Sequence, residues 1–129
     1  MRQKKVLIVD DEPDTIAFVT SVIEDIGDYS VLSASNGEEA LQKSHAELPD
    51  LIILDAIMPI MDGYTAFCEL KKDDKTADIP IIMLSGLHEL GDMVRAHALP
   101  IDAQPELFID KPIEPDKLKI LIDRVLKSK

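Results

Sequence analysis

The stretch Val6-Leu7-Ile8-Val9-Asp10-Asp11-Glu12-Pro13 decides the reading of this chain. Four consecutive aliphatic residues with no polar alternation describe a strand covered on both faces. Two acids follow at once, and then a proline suited to the first turn of a helix. Ile16, Val19, Val22, Ile23 and Ile26 recur at helical spacing as far as Gly27. The unit is therefore strand, acidic turn, helix.

The same grammar repeats downstream. Apolar runs at Leu51–Leu54, Ile79–Leu84 (broken by Pro80) and Leu107–Ile109 predict three more buried strands. Tyr29–Ser33 is a weaker strand, diluted by Ser30 and Ser33. Ser35-Asn36-Gly37-Glu38 offers a capping box for a second helix carrying Ala40, Leu41, His45 and Leu48, which Pro49 closes. Tyr64, Phe67, Cys68 and Leu70 after Asp62-Gly63 predict a third helix, Leu90, Met93, Val94, His97 and Ala98 a fourth, and Leu118, Leu121, Ile122 and Val125 after Pro115 a fifth. Five strands alternating with five helices make an α/β fold with a parallel sheet and right-handed crossovers. Residues 99–106, with Pro100 and Pro105, are expected to form a loop longer than the usual connection.

Composition narrows the function. The 129 residues, 46% of them hydrophobic, suit one domain spanning 1–129 with a single core. The net charge of −11 argues against direct binding to nucleic acid, which needs a basic face to displace counterions. No apolar run approaches the roughly 18–20 residues of a membrane span. Val6–Val9 is also too short for the apolar core of a signal peptide behind Met1-Arg2-Gln3-Lys4-Lys5, so a cytoplasmic location is expected. The lone Cys68 cannot form an internal disulfide and fits a reducing compartment.

In parallel sheets, ligands bind beyond the carboxyl ends of the strands. Those ends read Asp10-Asp11, Asp55, Ser85-Gly86 and Asp110-Lys111-Pro112. Three carboxylates would converge there, and their mutual repulsion calls for a raised pKa or a bound cation. An all-oxygen donor set without His or Cys suits a hard ion such as Mg²⁺. A carboxylate is already ionised at neutral pH, so Asp55 needs no base to attack phosphorus. Mg²⁺ and the Lys111 ammonium would offset the charge that develops, and the Ser85 hydroxyl could meet a phosphoryl oxygen. Taken singly, a strand-end aspartate is more simply a cap or a turn former. A cap, however, has no use for Lys111.

With these residues assembled, the sequence resembles the receiver domain of response regulators, the flavodoxin-like phospho-acceptor module of two-component signalling. The resemblance covers the whole chain and is carried by Val9-Asp10-Asp11-Glu12, by Asp55 with Met58-Pro59-Ile60-Met61-Asp62-Gly63, by Leu84-Ser85-Gly86 and by Lys111-Pro112. It implies a flavodoxin-like, doubly wound five-stranded parallel sheet in the strand order 2-1-3-4-5, with five helices. Asp10, Asp11, Asp55 and the backbone carbonyl of Ile57 would hold Mg²⁺, and Asp55 would accept a phosphoryl group from a phosphohistidine on a sensor histidine kinase or phosphotransfer protein. Ser85 would be the switch hydroxyl, Lys111 the active-site lysine and Phe108 the aromatic that repacks on phosphorylation. The protein would then be a switch rather than an enzyme, acting through a downstream protein because no output domain is read in the chain.

Three departures stand out. Gly86 replaces the family's common alanine, Ile57 replaces a polar residue and hints at slow self-dephosphorylation, and residues 99–105 replace a shorter turn. Cys68 reads as an inert boundary thiol. His45 and His97 read as packed on apolar stripes, and His88 as an exposed helix-start residue. Lys117, Lys119, Arg124, Lys127 and Lys129 read as a solvated face suited to a helix C-terminus. Two other functions fit the fold class. A phosphatase of the haloacid-dehalogenase type would need a second acid where Ile57 stands. A flavodoxin-like nucleotide or flavin binder would need a small-residue phosphate loop where Asp10-Asp11-Glu12-Pro13 stands.

Overall fold

The computed structural model describes residues 3–56, 58–85, 107–110 and 113–127. The strands are β1 (Lys4–Val9), β2 (Tyr29–Ala34), β3 (Leu51–Asp55), β4 (Ile81–Ser85) and β5 (Leu107–Asp110). The helices among the described residues are α1 (Pro13–Ile26), α2 (Gly37–Glu47), α3 (Gly63–Lys72) and α4 (Pro115–Lys127). The helix expected around Leu90–Ala98 and the loop expected at 99–106 lie outside the described residues, as do His88 and His97. All strand pairs are parallel, in the order β2-β1-β3-β4-β5.

The two-residue period of a strand explains why the apolar runs are continuous. Leu7, Val9, Ile52, Leu54, Ile81 and Met83 face one side, where they pack with Ala40 of α2 and with Tyr64, Phe67 and Leu70 of α3. Val6, Ile8, Leu51, Ile53, Ile82, Leu84 and Ile109 face the other, against Val19, Val22 and Ile23 of α1 and Leu118, Ile122 and Leu126 of α4. Each fully buried aliphatic side chain contributes roughly 1.5–3 kcal/mol, so alternate residues of one strand anchor opposite helical layers. The edge strand β2 is half-buried along most of its length, which accommodates its two serines.

Several local expectations need correction. The second helix is capped by Asn36, whose side chain accepts from the Glu39 backbone N–H at 2.9 Å. Glu39 in turn accepts from the Ser35 hydroxyl at 2.9 Å, so the cap is Asn36 rather than Ser35 and its returning acid is Glu39 rather than Glu38, bonded to the residue before the cap. The Ser35 hydroxyl and the Lys43 ammonium, in that order, pull the Glu39 carboxyl below the usual glutamate range. His45 is not packed on an apolar stripe. It is about half exposed and pairs with Asp73 at the end of α3. Leu48 is not part of the helix either; it is the exposed left-handed cap that ends α2. Strand β4 starts at Ile81 rather than Ile79, because Pro80 has no N–H for the ladder, although its carbonyl still accepts from Ile52 at 3.1 Å. The basic residues of α4 keep the solvated face expected of them: Lys117, Arg124 and Lys127 are exposed, Lys127 pairs with Asp123 at 3.8 Å and half-buried Lys119 pairs with Asp25 of α1 at 3.2 Å, while Lys129 lies outside the described residues.

Candidate functional site

Register brings the strand ends into line. Val9 pairs with Leu54, so Asp10 stands level with Asp55 on the adjacent strand. Asp55 pairs with Leu84, which places Ser85 one residue further along β4, opposite Asp110 of β5. These positions form the carboxyl edge of the sheet at β1, β3, β4 and β5, with the chain passing from Asp110 to Lys111.

Asp10, Asp11 and Asp55 each offer a carboxylate oxygen within 4.8 Å of the others. Asp10 is fully buried, Asp55 is 3% exposed and Asp11 is exposed. Asp10 is fixed by its own turn, its Oδ1 accepting from the Glu12 backbone N–H at 2.9 Å while its N–H donates to the Ala34 carbonyl at 3.1 Å. Glu12 caps α1 through its backbone alone, and Pro13 starts the helix where a missing N–H costs nothing. The short turn between strand and helix leaves Asp10 inside and Asp11 on the solvent side.

Asp55 is positioned by its connection to α3. The Ala56 N–H donates to the Leu84 carbonyl at 2.9 Å, and the Gly63 N–H donates back to the Ala56 carbonyl at 2.8 Å. A Cβ on Gly63 would stand 2.1 Å from the Asp55 backbone oxygen, so only glycine allows the helix to begin against the end of β3. Asp62 caps that helix, its Oδ1 accepting from the Thr65 N–H at 2.8 Å. The Met61 carbonyl accepts from the Gly37 N–H at 3.1 Å, which ties the loop to the start of α2.

Within that loop Ile60 has φ +70°, and the Met61 N–H bonds to the Pro59 carbonyl at 2.8 Å across it. This is a three-residue turn of the rarer, strained hand, which costs a β-branched residue about 1–2 kcal/mol. Neither the Gly63 contact nor the left-handed Ile60 was visible in the sequence. A glycine after aspartate reads as a turn, and no propensity places isoleucine at positive φ.

Of the other expected site residues, Ile57 and Lys111 lie outside the described residues, as does Gly86. Ser85 and Phe108 are placed on β4 and β5 by their backbones, but their side chains are likewise outside what is described. Cys68, half-buried against the α3 face of the core, has its thiol pushed up by burial, which suits an inert group.

The arrangement is an all-oxygen anionic cradle on the carboxyl edge of a parallel sheet. Its donor chemistry matches a hard divalent cation, which favours carboxylate oxygens over imidazole or thiolate. A sheet of this order with an acidic carboxyl edge places the chain in the class of doubly wound α/β proteins. Within it, residues 6–123 match the response regulator receiver domain, and the chain belongs to that family, the receivers of two-component signalling.

A probable transcriptional regulator of Guillardia theta is 41% identical over 97% of this chain and 46% of its own length. The signal receiver domain of a histidine kinase from Syntrophus aciditrophicus superposes with a TM-score of 0.85 at 33% identity, covering 97% of this chain and 91% of that one. A sensor histidine kinase receiver domain from Pseudomonas aeruginosa, solved with magnesium coordinated in its active site cleft, has a TM-score of 0.83 at 23% identity, covering 98% of this chain and 99% of that one. The chain spans about half the length of the curated relatives it matches.

Proposed function

We propose that Asp55 is the phospho-acceptor of a Mg²⁺-dependent switch. The observation that carries this reading is the convergence of the Asp10, Asp11 and Asp55 carboxylates within 4.8 Å, two of them buried. An Asp55 oxygen attacks phosphorus, the P–N bond of a donor phosphohistidine breaks, and its electron pair returns to the imidazole, which takes a proton from solvent. Asp10, Asp11 and Asp55, with the Ile57 carbonyl, would hold the ion, and Lys111 would pair with the transferred oxygens. Bound Mg²⁺ supplies charge neutralisation between the approaching anions. Ser85 and Phe108 carry the change to the face around β4 and β5, as a population shift between two packings. The aliphatic Ile57 offers no hydrogen bond to a hydrolytic water, which favours a long-lived phosphoryl group.

The donor is a sensor histidine kinase or phosphotransfer protein, and the setting is the cytoplasm. Relatives named transcriptional regulators widen the expected output from a separate protein partner to a DNA-binding effector, with the acidic receiver itself away from DNA. Incubation with Mg²⁺ and acetyl phosphate should add one phosphoryl group by intact mass. Asp55→Asn or EDTA should abolish the addition. An unmodified wild type, or an equally modified Asp55→Asn, would overturn the assignment.

A further inference from the structure

Ile60 is the most exposed large apolar side chain among the described residues, at 78%, and it holds φ +70°. Its loop is pinned directly after the turn, by the Met61 carbonyl to Gly37, by Asp62 to Thr65 and by Gly63 to Ala56, which holds the strained turn against the start of α3. Glycine or asparagine would suit that conformation better, and burial returns nothing for the apolar surface of isoleucine. Leu48 is also exposed at positive φ, but it ends α2; Ile60 ends no helix, and strain there marks a place where the side chain is used outside the fold.

We propose that Ile60 is an apolar anchor for the protein that delivers the phosphoryl group, and a determinant of which donor protein is accepted. This rests on Asp55 being the acceptor. The loop carrying Ile60 leaves β3 directly after Asp55 and returns against its backbone at Gly63. A protein presenting a phosphohistidine to the carboxyl edge of the sheet must lay its surface over the tip of that loop. A small donor such as acetyl phosphate need not touch it. The exposed acids Asp11 and Glu12 flank the same edge, so the fitting surface is an apolar depression rimmed by basic side chains.

Ile60→Gly and Ile60→Asn both suit the left-handed backbone, and Ile60→Leu keeps the apolar bulk. The protein donor is the phosphorylated phosphotransfer domain of a sensor histidine kinase, chosen because it labels the wild-type chain. Transfer from it should fall at least tenfold in the Gly and Asn variants and stay within threefold of wild type in the Leu variant. Labelling by acetyl phosphate should remain within twofold in all three, and Ile60→Gly should raise the thermal midpoint. Protein-donor transfer within twofold of wild type in both the Gly and Asn variants would overturn the proposal. So would an equal loss with acetyl phosphate, which would place Ile60 in the chemistry of the site itself. Labelling by acetyl phosphate that survives Asp55→Asn would instead sink the acceptor assignment, and is read separately.

Discussion

Asp10 is buried as completely as the aliphatic residues before it, although an ionised carboxylate is among the costliest groups to remove from water. Its neighbours sharpen the problem. Like charges about 5 Å apart repel by on the order of 3 kcal/mol at an effective dielectric of about 20, and by less where one of them faces solvent, as Asp11 does. Asp11→Asn should therefore stabilise the metal-free protein by about 1 kcal/mol, measured by urea unfolding in EDTA. In saturating Mg²⁺ the order should reverse, because the variant lacks one of the proposed ligands. A variant less stable than wild type in EDTA would show that Asp11 is held by favourable contacts instead. At this scale the sequence was informative about chemistry and blind to conformation. Asp10, Asp11 and Asp55 announce themselves by their positions after apolar runs, whereas the left-handed Ile60 contradicts every local preference of its residue type.

Between β3 and α3 a single hydrogen atom decides the geometry. With Gly63, the helix starts in contact with the backbone of Asp55 and Ala56; with alanine, a methyl carbon would meet the Asp55 oxygen at 2.1 Å. Gly63→Ala should cost about 2–4 kcal/mol in chemical denaturation, since the neighbour is backbone and cannot rotate aside. It should also slow labelling by acetyl phosphate, because the strand that moves is the one bearing the carboxylate. Unchanged stability and labelling would mean that the helix can slide without cost. The elements themselves were largely legible, because buried parallel strands write themselves as unbroken aliphatic runs. Their ends were less so. Ser35 and Asn36 are both good caps, and only the observed bonds show that Asn36 takes the role and shifts the cap by one residue. His45 lies at helical spacing with Ala40 and Leu41, yet α2 ends so close to Asp73 that the imidazole finds a carboxylate instead of the core.

For the whole molecule, charge and topology pull in different directions. The strand order sets the first strand inside the sheet, between β2 and β3, so β1 is held on both edges while the helices shield both faces. The charge of −11 acts against that compactness by self-repulsion. Raising NaCl from about 10 mM to about 150 mM shortens the screening length from about 30 Å to about 8 Å. The midpoint of thermal unfolding followed by circular dichroism should rise over that range. A fall would mean that surface pairs such as Lys5–Glu47 and Lys119–Asp25, which salt also weakens, outweigh the net repulsion.

The turn that fixes Asp10 has a practical consequence for anyone following this molecule in solution. The chain has no tryptophan, so its emission gives little to watch. Its backbone supplies two better observers. The Glu12 amide points at the Asp10 carboxylate at 2.9 Å, and the Gly63 amide closes onto Ala56 beside Asp55 at 2.8 Å. In a nitrogen-resolved magnetic resonance spectrum these two signals form a native pair of probes, one beside the candidate cation ligand and one behind the candidate acceptor. Their relative movement in a titration separates ion arrival from phosphoryl arrival without any attached dye.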